Sequence, residues 1–294
     1  MVAQKQSGQK PGGNMSKLTI TKLSNFRNMI FISRLAAFFL FSAISITGES
    51  QTIDTLITVG KYKLHFNIVK GKGVPILFES GAGNDGTIWN SLLMPLHDSL
   101  GATLITYDRE GFGKSEIDTT DLNIITEVKG LEIALKKMGF VNKVFLVAHS
   151  LGGNYAMTFT YRNSKKVIGG VFIDIVSPCF MTQDKAREVK NIFHDSLEVI
   201  KKESLGFYYI VQNYEYTSKV MREAAQSLKI PLTIICSDTP PFQGKDSITW
   251  KNCMKTFSAG FTNRKYLLAK NCGHYIFIDN PSLVIDEIIK RYRK

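Results

Sequence analysis

Ser150 is the residue of this sequence that most clearly predicts chemistry. It follows an apolar run at 144–147 and precedes a helix-compatible segment at 153–162, so the pattern predicts a strand, a tight turn and a helix. Such a turn tolerates only small residues two positions either side of the serine, and Ala148 and Gly152 meet that demand. The chemistry would be nucleophilic attack by the serine hydroxyl. It needs a histidine base, an acid that orients the histidine, and two backbone N–H donors for an oxyanion.

His274 is the histidine that we predict to act as the base. It follows the last predicted strand in a short loop, where the carboxyl ends of parallel strands meet the turn at Ser150. His149 is next to Ser150 in the chain, and neighbouring residues of a strand point to opposite faces, so we expect it not to reach the hydroxyl. The remaining histidines lie in the N-terminal hairpin, the first helix and a helical insert: His65, His97 and His194.

Two backbone N–H groups are predicted to hold the oxyanion. Leu151 follows the nucleophile at the start of a helix, whose dipole favours negative charge. The second donor is expected from the glycine-rich loop 80–83, which follows the strand predicted at 74–79, and Ala82 is the residue that we expect to supply it.

The elements that must position these residues alternate along most of the chain. An antiparallel hairpin is predicted at 52–69 around Gly60, followed by strands at 74–79, 102–107, 142–147, 167–176, 230–236 and 265–269 with helices between them. This alternation is typical of right-handed parallel crossovers. It pauses at 178–229, a helical and aromatic-rich stretch. We therefore predict a core in two parts, 51–177 and 230–294, with a helical cap at 178–229 that lies over the site and selects the substrate.

Four short motifs occur in an order that resembles serine hydrolases of the α/β-hydrolase superfamily. They are Ser80-Gly81-Ala82-Gly83, D-x-x-G-x-G-x-S at 108–115, A-H-S-L-G-G at 148–153 and Gly273-His274. Ala148 stands where the family usually has glycine, and Ser80-Gly81 replaces its usual His-Gly. The resemblance implies an α/β-hydrolase fold, with a mostly parallel eight-stranded sheet, helices on both faces and a helical cap insert. The motif at 108–115 is interpreted as structural.

The resemblance leaves the acid open between two aspartates. The family commonly places its acid after the strand equivalent to 230–236, where Asp238 lies, but some members carry it at the end of the preceding strand, where Asp174 lies. A carboxylate in an apolar run such as that around Asp174 is costly unless it is paired, and a catalytic histidine would pair it. We favour Asp174 slightly over Asp238, and Asp246 is a distant third.

Residues 1–50 are interpreted as an addressing segment. A basic stretch precedes an uncharged, mostly apolar run at 35–47, which is the layout of a secretory signal and predicts an exported, periplasmic or extracellular protein. The alternative is a membrane anchor at 28–48. Export would permit disulfides among the four cysteines, and we expect Cys253 to pair with Cys272, while Cys236 is expected in the core.

The composition narrows the class of function. The formal net charge is +12, but the basic residues are spread along the chain and form no basic run, which argues against nucleic-acid binding. We predict cleavage of a carboxylic ester or related acyl bond in a small molecule, without metal or organic cofactor, and membrane contact only through an uncleaved N-terminal segment. The alternatives are a peptidase similar to proline iminopeptidases and a non-catalytic ligand receptor on the same fold.

Overall fold

A mixed sheet of eight strands organises the chain. The computed structural model describes residues 51–294, so the predicted signal at 1–50 and the alternative anchor at 28–48 lie outside the described residues. The strands are β1 (Thr52–Val59), β2 (Tyr62–Val69), β3 (Gly73–Glu79), β4 (Ala102–Tyr107), β5 (Val144–His149), β6 (Val167–Ile173), β7 (Leu232–Ser237) and β8 (Arg264–Ala269). Their order in the sheet is β1-β2-β4-β3-β5-β6-β7-β8. β2 runs antiparallel to both of its neighbours, β1 and β4, and every other neighbouring pair in this sheet is parallel. The antiparallel pairing of β1 with β2 is the one that the hairpin pattern predicted.

Ten helices connect or cover the strands in the described part of the chain. They are α1 (Asn90–Leu100), α2 (Ile124–Lys137), α3 (Gly152–Arg162), α4 (Gln183–Ile192), α5 (Leu197–Glu203), α6 (Leu205–Gln212), α7 (Tyr214–Gln226), α8 (Gly244–Ser258), α9 (Ile276–Asp279) and α10 (Pro281–Tyr292). None of these helices is long and apolar enough to cross a membrane.

The sheet separates two apolar cores, because successive side chains of a buried strand point to opposite faces. Leu77 packs on one face with α2, α3 and α8, whereas its neighbours Ile76 and Phe78 pack on the other with α1 and α10. Helices therefore cover both faces. The predicted α/β-hydrolase fold is confirmed.

The stretch predicted as a cap is mostly helical. Helices α4 to α7 lie between β6 and β7, and α7 packs on α3, the helix that follows Ser150. A disulfide joins Cys179, just before α4, to Cys253 on α8. The expected pair of Cys253 with Cys272 is therefore wrong. Cys272 is buried and free, as is Cys236 in the core, because the fold brings Cys179 rather than Cys272 to the inner face of α8.

The largest local difference from the predicted boundaries is at β6. The sequence predicts a strand over 167–176, but β6 ends at Ile173 because Asp174 has a φ of +44°, which a strand cannot accommodate. This turn points the Asp174 side chain out of the strand pattern and beyond the carboxyl edge of the sheet. The end of β6 therefore positions the Asp174 carboxylate for the site described below.

Candidate active site

The turn at Ser150 has the strained backbone that the sequence predicts. Ser150 has a φ of +52° between β5 and α3. Gly152 must be small, because a Cβ atom there would lie 2.3 Å from the carbonyl oxygen of Glu79. Positive φ at a non-glycine residue is costly and persists only where the surroundings enforce it. The close approach of α3 to β3 thus holds Ser150 at the apex of the turn.

His274 joins Ser150 to Asp174. Its Nε2 lies 2.9 Å from Ser150 Oγ, and its Nδ1 lies 2.7 Å from Asp174 Oδ2. A carboxylate can only accept, so Nδ1 carries the proton and donates a hydrogen bond to Asp174, which leaves Nε2 as the acceptor facing the hydroxyl. Three residues that are 24 to 124 positions apart in the chain thus form one hydrogen-bonded row at the carboxyl edge of the sheet. 

Asp174 is a fully buried carboxylate with every oxygen engaged. Besides His274, it accepts hydrogen bonds from the Ser237 N–H at 2.9 Å, the Ser237 hydroxyl at 2.8 Å and the Trp250 indole N–H at 2.9 Å. These donors offset the cost of burying its charge. The sequence did not single out Ser237 or Trp250. Their only signal is position, at the end of β7 and on the inner face of α8.

The structure does not bring the other two candidate acids to His274. Asp238 Oδ2 lies 3.4 Å from the backbone N–H of Asn271, and the backbone N–H of Asp238 donates to the Cys272 carbonyl. Asp246, on α8, pairs with Lys185 of α4. Both residues therefore tie loops or helices together away from Ser150.

His149 is a neighbour of His274 that sequence reasoning set aside. It does not contact the Ser150 hydroxyl, but its Nε2 donates to the His274 carbonyl oxygen at 3.0 Å, and the two rings lie 4.6 Å apart. Burial lowers the pKa of His149 well below its ordinary value, and the adjacent His274 lowers it further. His149 is therefore a neutral support for the loop that carries His274.

The two predicted oxyanion donors belong to segments that adjoin Ser150. The loop 80–83 packs directly on it, since a Cβ atom at Gly81 would lie 3.2 Å from Ser150 Cβ. In the described part of the chain, neither the Ala82 N–H nor the Leu151 N–H donates to a protein acceptor. Leu151 immediately precedes α3, so its N–H belongs to the positive end of a helix. Two N–H groups without a protein acceptor can stabilise an oxyanion that forms near the Ser150 hydroxyl.

The aromatic residues around this row come from the core as well as from the cap. Trp250 and Tyr275 lie edge-on to His274, with ring centroids 6.2 Å and 5.5 Å away. The cap rings pack on one another instead, as Phe193 does on Phe207. Substrate selection by the cap aromatics stays a prediction.

Comparisons with known proteins agree with this fold. A family model described as the alpha/beta hydrolase fold matches residues 74–206. An uncharacterised protein of Bacillus subtilis, YqjL, is 25% identical over 246 residues, which is 80% of this chain and 90% of YqjL. The similarity therefore spans nearly the whole of that relative.

Solved structures with the same fold include enzymes of different chemistry. An esterase from Thermogutta terrifontis superposes with a TM-score of 0.64 at 17% identity, covering 83% of this chain and 98% of the esterase. The haloalkane dehalogenase DatA from Agrobacterium tumefaciens superposes with a TM-score of 0.64 at 15% identity, covering 82% of this chain and 96% of the dehalogenase. At these identities the likeness shows the fold alone. Together with the family match over residues 74–206, it shows that the chain has the α/β-hydrolase fold.

Proposed function

We propose that the protein is a serine hydrolase that cleaves a carboxylic ester or a related acyl bond through an acyl-enzyme on Ser150. The observation that carries the proposal is the hydrogen-bonded row from Ser150 through His274 to Asp174. A nucleophile, a base within hydrogen-bond reach and a group that orients the base are the parts that such chemistry requires.

In the first half of the reaction Ser150 Oγ attacks the substrate carbonyl carbon. The hydroxyl proton moves to His274 Nε2, and the imidazolium that forms is stabilised by the carboxylate of Asp174. The carbonyl oxygen becomes an oxyanion held by the N–H groups of Ala82 and Leu151. When the tetrahedral intermediate collapses, His274 gives this proton to the departing alcohol, and the acyl group stays on Ser150.

Water completes the cycle along the same path in reverse. His274 Nε2 takes a proton from a water molecule as its oxygen attacks the acyl carbon, and the same two N–H groups hold the second oxyanion. Collapse releases the carboxylic acid and returns the proton to Ser150 Oγ. The protein groups and one water molecule account for every step, and we propose a reaction without metal or organic cofactor.

The serine at position 150 is what separates this proposal from the other chemistries of the fold. The resemblance implies that epoxide hydrolases and haloalkane dehalogenases use an aspartate at the corresponding turn, and this chain has Ser150. An acyl-serine can form only from an acyl donor, which favours esters and related acyl compounds. The alternatives are cleavage of an N-terminal prolyl residue and a receptor that binds its ligand without turnover.

The experiment is labelling and turnover in the same preparation. A fluorophosphonate probe should label the wild-type protein, with fluoride displaced by Ser150 Oγ, and short-chain nitrophenyl esters should be hydrolysed. Ser150→Ala should abolish both. Ser115→Ala is the matched control, because Ser115 also lies against a histidine and an aspartate but contacts the main chain of His65.

The outcomes separate the three candidates. Labelling with ester turnover supports the proposal, whereas faster turnover of proline nitroanilide than of any ester would favour the peptidase. Folded protein that neither reacts with the probe nor hydrolyses any ester would overturn the proposal and favour a receptor.

We also propose that the protein is exported. The disulfide between Cys179 and Cys253 supports this, because disulfides persist mainly in oxidising compartments. Cell fractionation followed by N-terminal sequencing tests it. Recovery of the full-length chain from the cytosol would contradict it, and recovery of the full-length chain from membranes would favour the anchor at 28–48.

A further inference from the structure

Arg109 is a buried arginine that lies beneath the loop 80–83. Its side chain is almost inaccessible, and its Nη1 and Nη2 donate to the carbonyl oxygens of Ser80 and Gly81, each at 2.6 Å. Within residues 51–294 it forms no ion pair with a carboxylate. Both of these side-chain hydrogen bonds are thus made to the main chain of this one loop.

The second of these bonds fixes a peptide plane. The Gly81 carbonyl and the Ala82 N–H belong to the same planar trans peptide, in which the oxygen and the hydrogen point in opposite directions. Holding the Gly81 oxygen toward Arg109 therefore aims the Ala82 N–H the other way. The same loop packs against Ser150, since a Cβ atom at Gly81 would lie 3.2 Å from Ser150 Cβ, so the Ala82 peptide lies close to where the oxyanion would form.

This peptide needs a restraint because of the residue that precedes it. A Cβ atom at Gly81 would lie 2.9 Å from His149 Nδ1 and 3.2 Å from Ser150 Cβ, so only glycine fits there. Glycine also places little limit on backbone rotation, and rotation of the Gly81–Ala82 peptide would turn a carbonyl oxygen toward the site. The Arg109 fork holds the peptides on both sides of Gly81 and so opposes that rotation, whereas the Asn84 N–H bonds the Gly81 carbonyl at the longer distance of 3.4 Å.

We propose that Arg109 is a positioning residue that holds the Ala82 N–H in the orientation required to stabilise the oxyanion. The proposal rests on the serine hydrolase function above. In this role Arg109 acts on the oxyanion site through the carbonyl groups of Ser80 and Gly81.

The test compares Arg109→Met with Arg109→Lys. Loss of one oxyanion donor lowers kcat by about 100- to 1,000-fold in other enzymes, so Arg109→Met should lower kcat of the folded enzyme by about that factor and leave KM little changed. Lysine can hold one carbonyl but cannot form the fork, so Arg109→Lys should recover part of the loss. Affinity for a trifluoromethyl ketone, which forms an oxyanion on the serine, should fall in parallel with kcat/KM.

Arg264→Met is the matched control. The Arg264 guanidinium also bridges two backbone carbonyls, those of Phe257 and Leu228, at the start of β8 and away from Ser150. This variant should unfold at a lower temperature without a change in kcat. If Arg109→Met behaves in the same way, with kcat unchanged, the positioning role is overturned.

A readout that does not depend on turnover separates this proposal from the proposed function. In protein labelled with ¹⁵N-alanine, the Ala82 amide resonance should shift in Arg109→Met and stay in place in Arg264→Met. An unchanged Ala82 resonance in Arg109→Met would contradict the positioning role. Absence of labelling and turnover in the wild type would instead contradict the hydrolase function.

Discussion

Two histidine–aspartate pairs in this protein have nearly the same geometry and different surroundings. His274 Nδ1 lies 2.7 Å from Asp174, and His65 Nδ1 lies 2.8 Å from Asp108. In both pairs the aspartate is buried and accepts further hydrogen bonds from the main chain. The contact between the two side chains therefore does not distinguish them.

The second ring nitrogen distinguishes the pairs. His274 Nε2 faces the hydroxyl of Ser150, whereas His65 Nε2 faces a second carboxylate, that of Asp54, at 2.9 Å. A nitrogen that faces a carboxylate must donate and cannot accept a proton from a nucleophile. His65 is thus unsuited to act as a base. The comparison teaches that the partner of the outer nitrogen, more than the pair itself, indicates a catalytic histidine.

Asp108 explains what the second pair does instead. Besides His65, it accepts from the N–H groups of Gly86 and Lys114, each at 2.8 Å, and a Cβ atom at Gly113 would collide with it. Asp108 therefore joins β2, the turn before α1 and the loop after β4. This geometry fits the structural role that the sequence predicted for the D-x-x-G-x-G-x-S motif.

The largest expected effect is on turnover, in the first pair. Asp174→Asn should lower kcat by about 10,000-fold, because an amide in place of the carboxylate no longer holds His274 in the required tautomer. Asp238→Asn should change kcat by less than about threefold, because Asp238 contacts only the main chain. Steady-state kinetics with a nitrophenyl ester measure both variants. Equal activity in the two would refute the choice of Asp174.

The next effect is on stability, in the second pair. His65→Leu should lower the free energy of unfolding by about 1–3 kcal/mol, because it removes a buried hydrogen bond to the Asp108 carboxylate. The folded fraction should keep the wild-type kcat. Urea unfolding and kinetics in the same buffer measure the two quantities. His274→Leu should show the opposite pattern, and a loss of turnover in His65→Leu would erase the distinction between the pairs.

A pH effect is expected beside the first pair. Burial raises the pKa of Glu79, which precedes the loop 80–83, to about 7 from an ordinary value of 4.5, although Arg109 and the hydrogen bond from Tyr107 act in the opposite direction. Between these two values the folded protein holds a proton that the unfolded chain releases, so the free energy of unfolding should fall as pH rises from 4.5 to 7 and then level off. Glu79→Gln should remove this contribution to the decrease in the free energy of unfolding. An unchanged slope between the wild type and Glu79→Gln, measured by urea unfolding, would contradict the assignment.

The smallest effect is expected beside the second pair, and it has the opposite sign. Hydrogen bonds from Lys114 and then His65 lower the pKa of Asp54 below its ordinary value of 3.8. The stability that Asp54 contributes should therefore be present above pH 3.8 and decline as pH falls through its lowered pKa. Asp54→Asn should reduce the pH dependence of the free energy of unfolding below pH 4, as measured by unfolding in that range. It should leave stability at neutral pH nearly unchanged because the carboxylate is exposed. A large loss at neutral pH would show that Asp54 is essential to the pair.

Local sequence patterns determined much of the fold and part of the candidate site. Alternating and continuous apolar runs predicted the hairpin, the parallel strands and the helical insert. They could do so because local backbone geometry sets the spacing of buried side chains over a few residues. The small residues around Ser150 predicted the turn for the same reason. His274 could be singled out because it follows a strand in a short loop.

Only the tertiary structure decided the partners that come from distant parts of the chain. Asp174 lies 100 residues from His274, and nothing in either neighbourhood fixes their separation until β6, β7 and β8 pair side by side. The disulfide of Cys179 with Cys253 and the contact of Arg109 with Gly81 depend on packing in the same way. Residue types and spacing thus determined which groups could react, whereas the register of the sheet and the packing of α8 decided which of them meet.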